Sequence, residues 1–294
     1  MSYKGIILSG GLGTRLAPLT SSVSKQLLPV YDKPMIFYSL SVLMLSGIRD
    51  ILLVSSPDHI DLYKNLLGTG ERYGIKITYQ TQKKPAGIAE AFILGESFIE
   101  DKNVALILGD NIFYGYQFSK KLREVIKNND GATIFAAYTD TPHQFGVVEF
   151  NKNNEVISIE EKPKNPKSNY AITGLYFYNN DVIKRAKSLK PSPRNELEIT
   201  DINKSYLKDK KLNLSVFGRG FTWLDAGNAD DLLEAGNFVK TIENRQGLKI
   251  ACLEEIAITN KWIDINALKV IASNHQKNKY GEYLVNLVQK YESN

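Results

Sequence analysis

The chain has 294 residues, of which 43% are hydrophobic, so its composition supports a full core and excludes a disordered protein. Its net charge of +5, from 37 basic and 32 acidic residues, is spread along the chain without the basic stripe of a nucleic-acid-binding protein. A lone cysteine, three separated histidines and no apolar run near the roughly 18 residues of a membrane span predict a cytoplasmic protein without disulfides, Cys/His zinc sites or membrane segments.

Short apolar runs that end in turn or polar residues predict five buried strands in the first half of the chain, at residues 5–8, 51–54, 76–79, 104–108 and 132–138. A helix is predicted over residues 34–47, because Pro34 suits a first helical turn, apolar residues recur at helical spacing, and Gly47 can end it. Alternating strands and helices predict an α/β fold with a doubly wound, parallel sheet, whose ligands should gather at the carboxyl ends of the strands.

The second half of the chain has a different pattern. Residues 145–150 and 155–160 flank a polar turn, and residues 174–178 form another strand pattern, which we interpret as a hairpin-rich insertion beside the sheet. Helical spacing at 228–246, around 262–272 and at 282–291 predicts a helical C-terminal region. Because no linker or repeat interrupts the chain, we expect one domain over 1–294, with an α/β core to about 240 and a helical appendage from about 241 to 294.

A glycine-rich segment over residues 8–16 follows the first predicted strand, where backbone N–H groups could approach a phosphate chain. It is not a P-loop, because no Gly-Lys-Ser/Thr follows, and Leu16 stands where the dinucleotide fingerprint needs its third glycine. The glycines alone fit a plain tight turn equally well. The adjoining Thr14-Arg15 favours the phosphate loop, because arginine offers phosphate a forked pair of donors.

Two aspartates, Asp110 and Asp225, each follow an apolar run. Asp110 stands where an α/β sheet presents ligands, although a helix N-cap explains it equally. If the fold brought both carboxylates to the glycine-rich loop they would suit Mg²⁺, but their spacing does not establish that. Lys25 and Lys162, taken alone, are more simply explained as solvated lysines. Ser9 lacks the nucleophile-elbow context of a serine hydrolase.

Several motifs together, in this order, resemble the family of sugar-1-phosphate nucleotidylyltransferases. They are GGLGTRL (10–16), SKQLLPV (24–30), LGDN (108–111), EEKP (160–163) and WLD (223–225). Four others, YDKPMI (31–36), FGVVEF (145–150), PKSNYA (166–171) and ELEITD (196–201), are similar to the short bacterial branch that uses dTTP and glucose 1-phosphate. The resemblance runs from about residue 4 to about residue 283.

This resemblance implies a Rossmann-like core with a sugar-binding, hairpin-rich insertion. It also implies a reaction in which α-D-glucose 1-phosphate attacks the α-phosphate of dTTP with Mg²⁺, giving pyrophosphate and dTDP-glucose, the precursor of dTDP-L-rhamnose and other dTDP-deoxysugars. Two alternatives stay open, because pocket contacts choose the base and the sugar and because fold alone does not fix function. One is a transferase for UTP or another hexose phosphate, and the other is a non-catalytic nucleotide-sugar sensor.

The resemblance also implies roles for individual residues. The catalytic residues would be Arg15, Lys25, Asp110, Lys162 and Asp225, with Mg²⁺ on Asp110 and Asp225. The nucleotide would contact Leu8, Gly10, Gly11, Gly13, Thr14, Arg15, Gln26, Gln82, Gly87 and Asp110. The sugar phosphate would contact Asn111, Gly146, Glu161, Lys162 and Thr173. Phe145 replaces the tyrosine that is usual in the family, and KKPAGIAE (83–90) departs from the usual PSPDGLAQ.

A regulatory site is implied as well, because the short branch forms homotetramers in which dTDP-L-rhamnose inhibits at a second nucleotide site near a subunit interface. The positions of that site here are Leu45, Tyr114, Gly115, Phe118, Ala251, Glu255 and Ile256.

Overall fold

The computed structural model describes residues 2–11, 13–275 and 277–293, so Leu12 of the glycine-rich segment lies outside the described residues. The strands are β1 (Tyr3–Ser9), β2 (Pro29–Val30), β3 (Lys33–Pro34), β4 (Asp50–Ser55), β5 (Lys76–Thr81), β6 (Asn103–Leu108), β7 (Asn111–Gly115), β8 (Ala132–Tyr138), β9 (Gly146–Phe150), β10 (Val156–Glu161), β11 (Tyr170–Tyr178), β12 (Leu212–Val216) and β13 (Phe221–Asp225). The helices are α1 (Ile36–Leu45), α2 (Ile60–Leu67), α3 (Glu90–Leu94), α4 (Glu96–Ile99), α5 (Phe118–Asn128), α6 (Val182–Ser188), α7 (Ile199–Lys208), α8 (Ala229–Gln246), α9 (Leu253–Thr259), α10 (Ile265–Ser273) and α11 (Lys279–Glu292).

A mixed, mostly parallel sheet of nine strands organises the described part of the chain. Its path is β10-β9-β11-β6-β1-β4-β5, and β8 pairs with β11 and β12. Only β10 and β11 run against the other seven strands. All five predicted strands are confirmed, and residues 132–138 match β8 at both ends. The sheet is therefore the α/β architecture that the sequence predicts.

Helices cover both faces of this sheet, which explains why the central strands are continuous apolar runs. Successive residues of β1 alternate between two cores, with Ile7 in one and Ile6 in the other. Helices α1, α2, α5 and α9 pack on the first core, and α3, α6 and α7 on the second. The candidate site lies at the carboxyl end of β6, where Leu108 is in register with Leu8 of β1.

The predicted hairpin differs from the expectation in its placement. Strands β9 and β10 pair with each other, and β9 also pairs with β11 through Val147 and Ala171. The hairpin thus extends the central sheet instead of lying beside it. This arrangement satisfies backbone groups along β9 that would otherwise form a free edge. Gly146 and Glu161, which face each other across the hairpin, are brought next to the ends of β6 and β11.

Helix boundaries also differ from the predictions. Helix α1 begins at Ile36, because Pro34 pairs with Pro29 in the short β2–β3 ladder, while Gly47, with φ +85°, follows its end as predicted. Helix α10 begins only after Asp264, whose side chain accepts a hydrogen bond from the Ala267 N–H at 2.8 Å. Helix α9 was not predicted.

Helix α8 runs through residue 240, so the boundary expected there falls inside a continuous helix. The division into core and appendage stays a prediction. Beyond α8, α9 packs on the same core as α1, and α10 and α11 pack together around Leu268 and Leu284. None of the described helices combines the length and the apolar character needed to cross a bilayer.

A buried charge cluster ties the β2–β3 ladder to the end of α8. Lys33 Nζ lies 3.1 Å from Glu243 Oε1, and Lys249 Nζ lies 2.7 Å from Glu243 Oε2. Asp32 pairs with both lysines, and the Ile250 N–H donates to Glu243 Oε1 at 2.9 Å. Glu243 therefore neutralises two cations, one of which, Lys33, is only 3% exposed along its side chain.

Replacing Glu243 should destabilise the protein strongly. Glu243→Ala leaves Lys33 and Lys249 with Asp32 alone, and breaking a buried ion pair costs about 3–5 kcal/mol. We expect the urea midpoint to fall accordingly. The matched control is Asp61→Ala, which removes an exposed pair with Lys64 and should change the free energy of unfolding by less than about 1 kcal/mol. Equal effects of the two substitutions would contradict the role assigned to the cluster.

Candidate active site

The candidate site is built around the chain reversal between β6 and β7. Gly109 lies so close to β1 that a Cβ there would stand 2.7 Å from Ser9 Oγ, so only glycine fits without displacement. The turn places Asp110 and Asn111 at the carboxyl end of β6, the edge of the sheet at which ligands were expected. Asp110 is not an N-cap, because a strand follows it.

Asn111 connects three strands at this point. Its Oδ1 accepts hydrogen bonds from the Gly174 N–H of β11 at 2.9 Å and from Trp223 Nε1 of β13 at 2.6 Å. Its Nδ2 donates to Asp110 Oδ1 at 3.0 Å. Asn111 is 2% exposed, its Oδ1 accepts two hydrogen bonds and its Nδ2 donates one, so it orients the Asp110 carboxylate and fixes β7 against β11 and β13.

Lys25 is not a solvated lysine in this structure. Its ammonium pairs with Asp110 Oδ2, and both side chains are largely buried. Burial by itself raises the pKa of Asp110, but the charge and hydrogen bond of Lys25 outweigh burial and hold that pKa below its ordinary value. Asp110 is therefore ionised at neutral pH.

Asp225 stands beside Asp110 at the end of the β7–β13 ladder, where Asp225 is in register with Asn111 and the Ala226 N–H donates to the Asp110 carbonyl at 3.1 Å. Burial and then the charge of Asp110 raise the pKa of Asp225 to about 7, against the opposing charges of Lys25 and Arg15. Arg15 packs over Gly227, where a Cβ would lie 3.0 Å from Nη2. The fold thus brings together four of the five predicted catalytic residues.

Arg15, Asp110 and Asp225 border a cavity of about 280 Å³, and Lys25 adjoins it through its ion pair with Asp110. The hairpin supplies one wall, in which Thr200 Oγ1 of α7 donates to Glu161 Oε2 at 2.6 Å beside Gly146. Lys162 also lines the cavity; it has the left-handed φ of +44° and is anchored by its backbone N–H to the Phe145 carbonyl. Among the described residues its ammonium makes no ion pair, so it is available to a ligand anion.

Thr173 is the predicted sugar-site residue whose side chain the structure does not bring to the cavity. Along β11, Ile172, Gly174 and Tyr176 line the cavity, whereas Leu175 and Phe177 belong to the core on the other face of the sheet. Thr173 falls on that opposite face because side chains alternate along a strand. Any contact of residue 173 with a sugar would have to come from its backbone.

The predicted nucleotide-site residues lie around the ends of β1 and β5. Gly10 lies against Gln82, since a Cβ at residue 10 would stand 2.4 Å from Gln82 Oε1, and Gln82 Nε2 donates to Glu90 at 2.6 Å. Gln26 is buried, and its Oε1 accepts hydrogen bonds from Ser24 and Tyr63. Gly87, with φ +101°, passes so close to Leu197 that a Cβ would meet its backbone. Gly11 and Gly13 also have positive φ, and Leu8 and Thr14 complete this group.

Sequence analysis did not assign roles to other residues of the cavity. Arg194 Nη2 donates hydrogen bonds to both carboxylate oxygens of Glu198, each at 2.9 Å. Asn203 lies on the cavity side of α7. The ELEITD motif at 196–201 was the only sequence signal near them.

A second cavity, of about 410 Å³, contains every predicted regulatory position: Leu45, Tyr114, Gly115, Phe118, Ala251, Glu255 and Ile256. Arg123 and Lys249 also line it. Burial raises the pKa of Glu255, although Tyr283 donates to this carboxyl at 2.7 Å. A further concave surface, of about 830 Å³ between α5 and β12, contains none of the predicted site residues.

The donor set at Asp110 and Asp225 fits Mg²⁺ better than zinc. The described residues contain no group of three or more His, Cys, Asp or Glu side chains arranged to hold a metal. Mg²⁺ is commonly bound by one or two carboxylates together with waters and phosphate oxygens, and two adjacent carboxylates meet that requirement.

A family model described as nucleotidyl transferase matches residues 4–242 of this chain. The chain belongs to the nucleotidyl transferase family. The match confirms that it is a nucleotidyltransferase, as the sequence motifs indicated.

Individual relatives extend this similarity over the full chain. Glucose-1-phosphate thymidylyltransferases of Neisseria meningitidis, Xanthomonas campestris and Mycobacterium tuberculosis are 55%, 51% and 49% identical to it, each over 98% of this chain and at least 97% of the relative. A crystal structure of a putative glucose-1-phosphate thymidylyltransferase from Bacillus anthracis in complex with sucrose is 41% identical, with a TM-score of 0.75 over 81% of this chain and 95% of that one. A UDP-glucose pyrophosphorylase complexed with UDP-glucose is 23% identical, with a TM-score of 0.71 over 82% of this chain and 100% of that one, and shares the fold.

The ionisation of Asp225 should make the stability of this nucleotidyltransferase depend on pH. The pKa of Asp225 is raised above its unfolded value of about 3.9, so between about pH 4 and pH 7 the unfolded chain releases a proton that the folded chain keeps, and stability is lost across that window as the pH rises. Without divalent metal, Asp225→Asn should therefore unfold at nearly the same temperature as the unsubstituted protein near pH 4 and at a higher temperature near pH 8.5, with the difference growing between about pH 4 and pH 7. A difference that does not change between these pH values would contradict the raised pKa.

Proposed function

We propose that the protein transfers a thymidylyl group from dTTP to α-D-glucose 1-phosphate, giving dTDP-glucose and pyrophosphate, as the first step toward dTDP-L-rhamnose and other dTDP-deoxysugars. The observation that carries the proposal is the meeting of Asp110, Asp225 and Arg15 at one cavity, with Lys25 paired to Asp110. The names of the relatives, which match over nearly the whole chain, support the choice of base and sugar.

The chemistry needs positioned charge more than proton transfer. A phosphate monoester has its second pKa near 6, so the sugar phosphate is already an anionic nucleophile at neutral pH and requires no general base. Its approach to a nucleotide triphosphate is opposed by repulsion, about 4 kcal/mol for each pair of unit charges at 4 Å and an effective dielectric constant of 20. Cations that are fixed in place before the substrates arrive offset this repulsion.

The cations of the site suit that task. Lys162, which has no ion-pair partner among the described residues, would anchor the sugar phosphate. Lys25 would stand between the two phosphate groups, and Arg15 would neutralise the departing pyrophosphate. Asp110 and Asp225 would hold Mg²⁺, which when bound withdraws electron density from the α-phosphate. Gly10, Gly11, Gly13 and Thr14 would surround the nucleotide phosphates.

The remaining predicted residues would select the base and the sugar. Gln26, Gln82 and Gly87, with Leu8, would contact the nucleotide base, and the Gln82 amide is held in one orientation by Glu90. Gly146, Glu161 and the backbone at Thr173 would contact the sugar. Asn111 orients Asp110 with one N–H of its Nδ2 and would offer the other N–H to the sugar phosphate.

Purified protein should release pyrophosphate when it is given Mg²⁺, glucose 1-phosphate and dTTP, and release should require the sugar phosphate. Parallel reactions with UTP, with other hexose 1-phosphates and without sugar test the alternatives. Faster release with UTP or another hexose phosphate would reassign the base or the sugar. No release with any pair of substrates would favour the non-catalytic nucleotide-sugar sensor. The two carboxylates and three cations of the site argue against such a sensor, because binding alone does not need them.

Asp110→Asn should lower turnover at least about a thousandfold, because it removes the ionised carboxylate that pairs with Lys25 and would bind Mg²⁺. The variant keeps the side-chain shape, so its circular dichroism should match that of the unsubstituted protein. Asp61→Ala, at a remote exposed pair, serves as the control with normal turnover. Near-normal turnover of Asp110→Asn would overturn the metal assignment.

We also propose that the enzyme works in the cytoplasm as a homotetramer and that dTDP-L-rhamnose binds the second cavity. A nucleoside diphosphate there would meet the cations Arg123 and Lys249. Exposed apolar residues on two helices, Leu233 of α8 (66% exposed) and Val270 of α10 (64%), are surfaces that subunit contacts could cover.

dTDP-L-rhamnose should lower the rate at saturating dTTP and glucose 1-phosphate, because its site is separate from the active site. Arg123→Glu should weaken this inhibition at least about tenfold through charge repulsion, while leaving the uninhibited rate unchanged. Steady-state pyrophosphate release over a range of inhibitor concentrations measures both. Inhibition that disappears at saturating substrate would place the inhibitor in the active site instead.

A further inference from the structure

Asn203 of α7 carries a polar group that the folded chain leaves without a partner. The residue is 0% exposed, yet it lines the candidate active-site cavity. Its Oδ1 accepts a hydrogen bond from the Tyr178 hydroxyl at 2.6 Å, whereas its Nδ2 has no hydrogen-bond partner within the described residues. Buried side-chain donors are nearly always satisfied, so an unsatisfied one at a cavity calls for an explanation.

The surroundings of Asn203 hold its amide in one orientation. The Tyr178 hydroxyl contacts the carbonyl oxygen and so directs the N–H groups away from the tyrosine. Helix α7 is itself fixed, because Ile199, Ile202 and Tyr206 are buried in the core beneath the sheet. The free donor is therefore preorganised and does not have to be ordered when a ligand enters.

Asn203 lines the cavity on the side that α7 forms. Thr200, one helical turn earlier, contacts Glu161 in the hairpin wall. Tyr178 pairs with Val104 in the sheet, six residues before Asp110 along the chain. Asn203 is therefore part of the cavity wall that α7, β11 and the hairpin form together.

We propose that Asn203 is a specificity-determining residue whose Nδ2 donates a hydrogen bond to a ring hydroxyl of the hexose in the sugar 1-phosphate. This inference rests on the proposed function and adds to it a donor that reads one hydroxyl of the sugar. A neutral donor suits a sugar hydroxyl, which is an uncharged acceptor. A site built to bond a hydroxyl rejects analogues that lack it, because the donor is then left unpaired.

The test compares the unsubstituted enzyme with Asn203→Ala on glucose 1-phosphate and on its 2-, 3-, 4- and 6-deoxy analogues. With glucose 1-phosphate, Asn203→Ala should lower kcat/KM by about 10- to 100-fold and leave the KM for dTTP unchanged. With one of the deoxy analogues the two enzymes should have the same kcat/KM, because the bonded hydroxyl is already missing. An equal loss for all five sugars would overturn the proposal, since it would indicate a structural role or a bond to buried water.

Two further variants guard against a folding defect. Asn203→Leu has nearly the size of asparagine and should show the same loss with the same single exception. Tyr178→Phe removes the hydroxyl that orients the amide but keeps the amide itself, so it should give a smaller loss at the same hydroxyl. Thermal unfolding of each variant is measured alongside, and a loss that follows the unfolding temperature across all sugars would contradict the proposal.

Failure of the proposed function gives a different result from failure of this inference. If the unsubstituted protein releases no pyrophosphate with any sugar phosphate, the proposed function is wrong. Calorimetric binding of glucose 1-phosphate and its deoxy analogues to the same variants then decides the role of Asn203. The proposal is supported if the substitutions weaken the binding of glucose 1-phosphate and of every deoxy analogue but one. It is overturned if binding to the variants is absent, unchanged or weakened equally for all of these ligands.

Discussion

The arrangement of the candidate active site depends on the hydrogen bonds of one buried amide. Asn111 accepts bonds from β11 and β13 and donates to the Asp110 carboxylate, so it is the point at which three strands and the catalytic edge are fixed together. Water cannot replace these hydrogen bonds, because Asn111 is only 2% exposed. Loss of a buried partner costs more than the bond itself contributes, which makes the position hard to change.

Charge at this edge is organised before any substrate arrives. Asp110 stays ionised because Lys25 pairs with it, and its charge in turn helps to raise the pKa of the neighbouring Asp225 to about 7. Two adjacent carboxylates in a desolvated setting are costly without a cation, and this cost favours the binding of a divalent metal. The same constraint therefore explains the unusual pKa of Asp225 and the fit of the site to Mg²⁺.

The candidate active-site cavity and the second cavity share one structural element. The β7–β13 ladder has Asn111 and Asp225 at one end and Gly115 and Phe221 at the other. Its five residues span only about 13 Å between end positions, so a ligand in the second cavity would contact the same strand that positions Asp110. The β2–β3 ladder, tied to α8 and Lys249 by the buried charge cluster, forms a second connection between the C-terminal helices and the segment that follows Lys25.

The sequence alone determined the architecture of the first half of the chain, because strands buried on both faces leave continuous apolar runs and the glycine-rich turn leaves a local pattern. It also indicated Asp110, whose place at a strand end is a local property.

Other features were decided by contacts between distant segments. Lys25 looks like a surface lysine until Asp110, 85 residues away, pairs with it. The sequence predicted a hairpin beside the sheet, whereas β9 pairs with β11 and joins the sheet. It also predicted Thr173 as a sugar contact, whereas the alternation of side chains along β11 places its side chain on the face away from the cavity. Asn203 has no sequence motif of its own, because its free amide group exists only where α7, Tyr178 and the cavity meet. Local patterns specify secondary structure, whereas desolvation and partner choice depend on the packed chain.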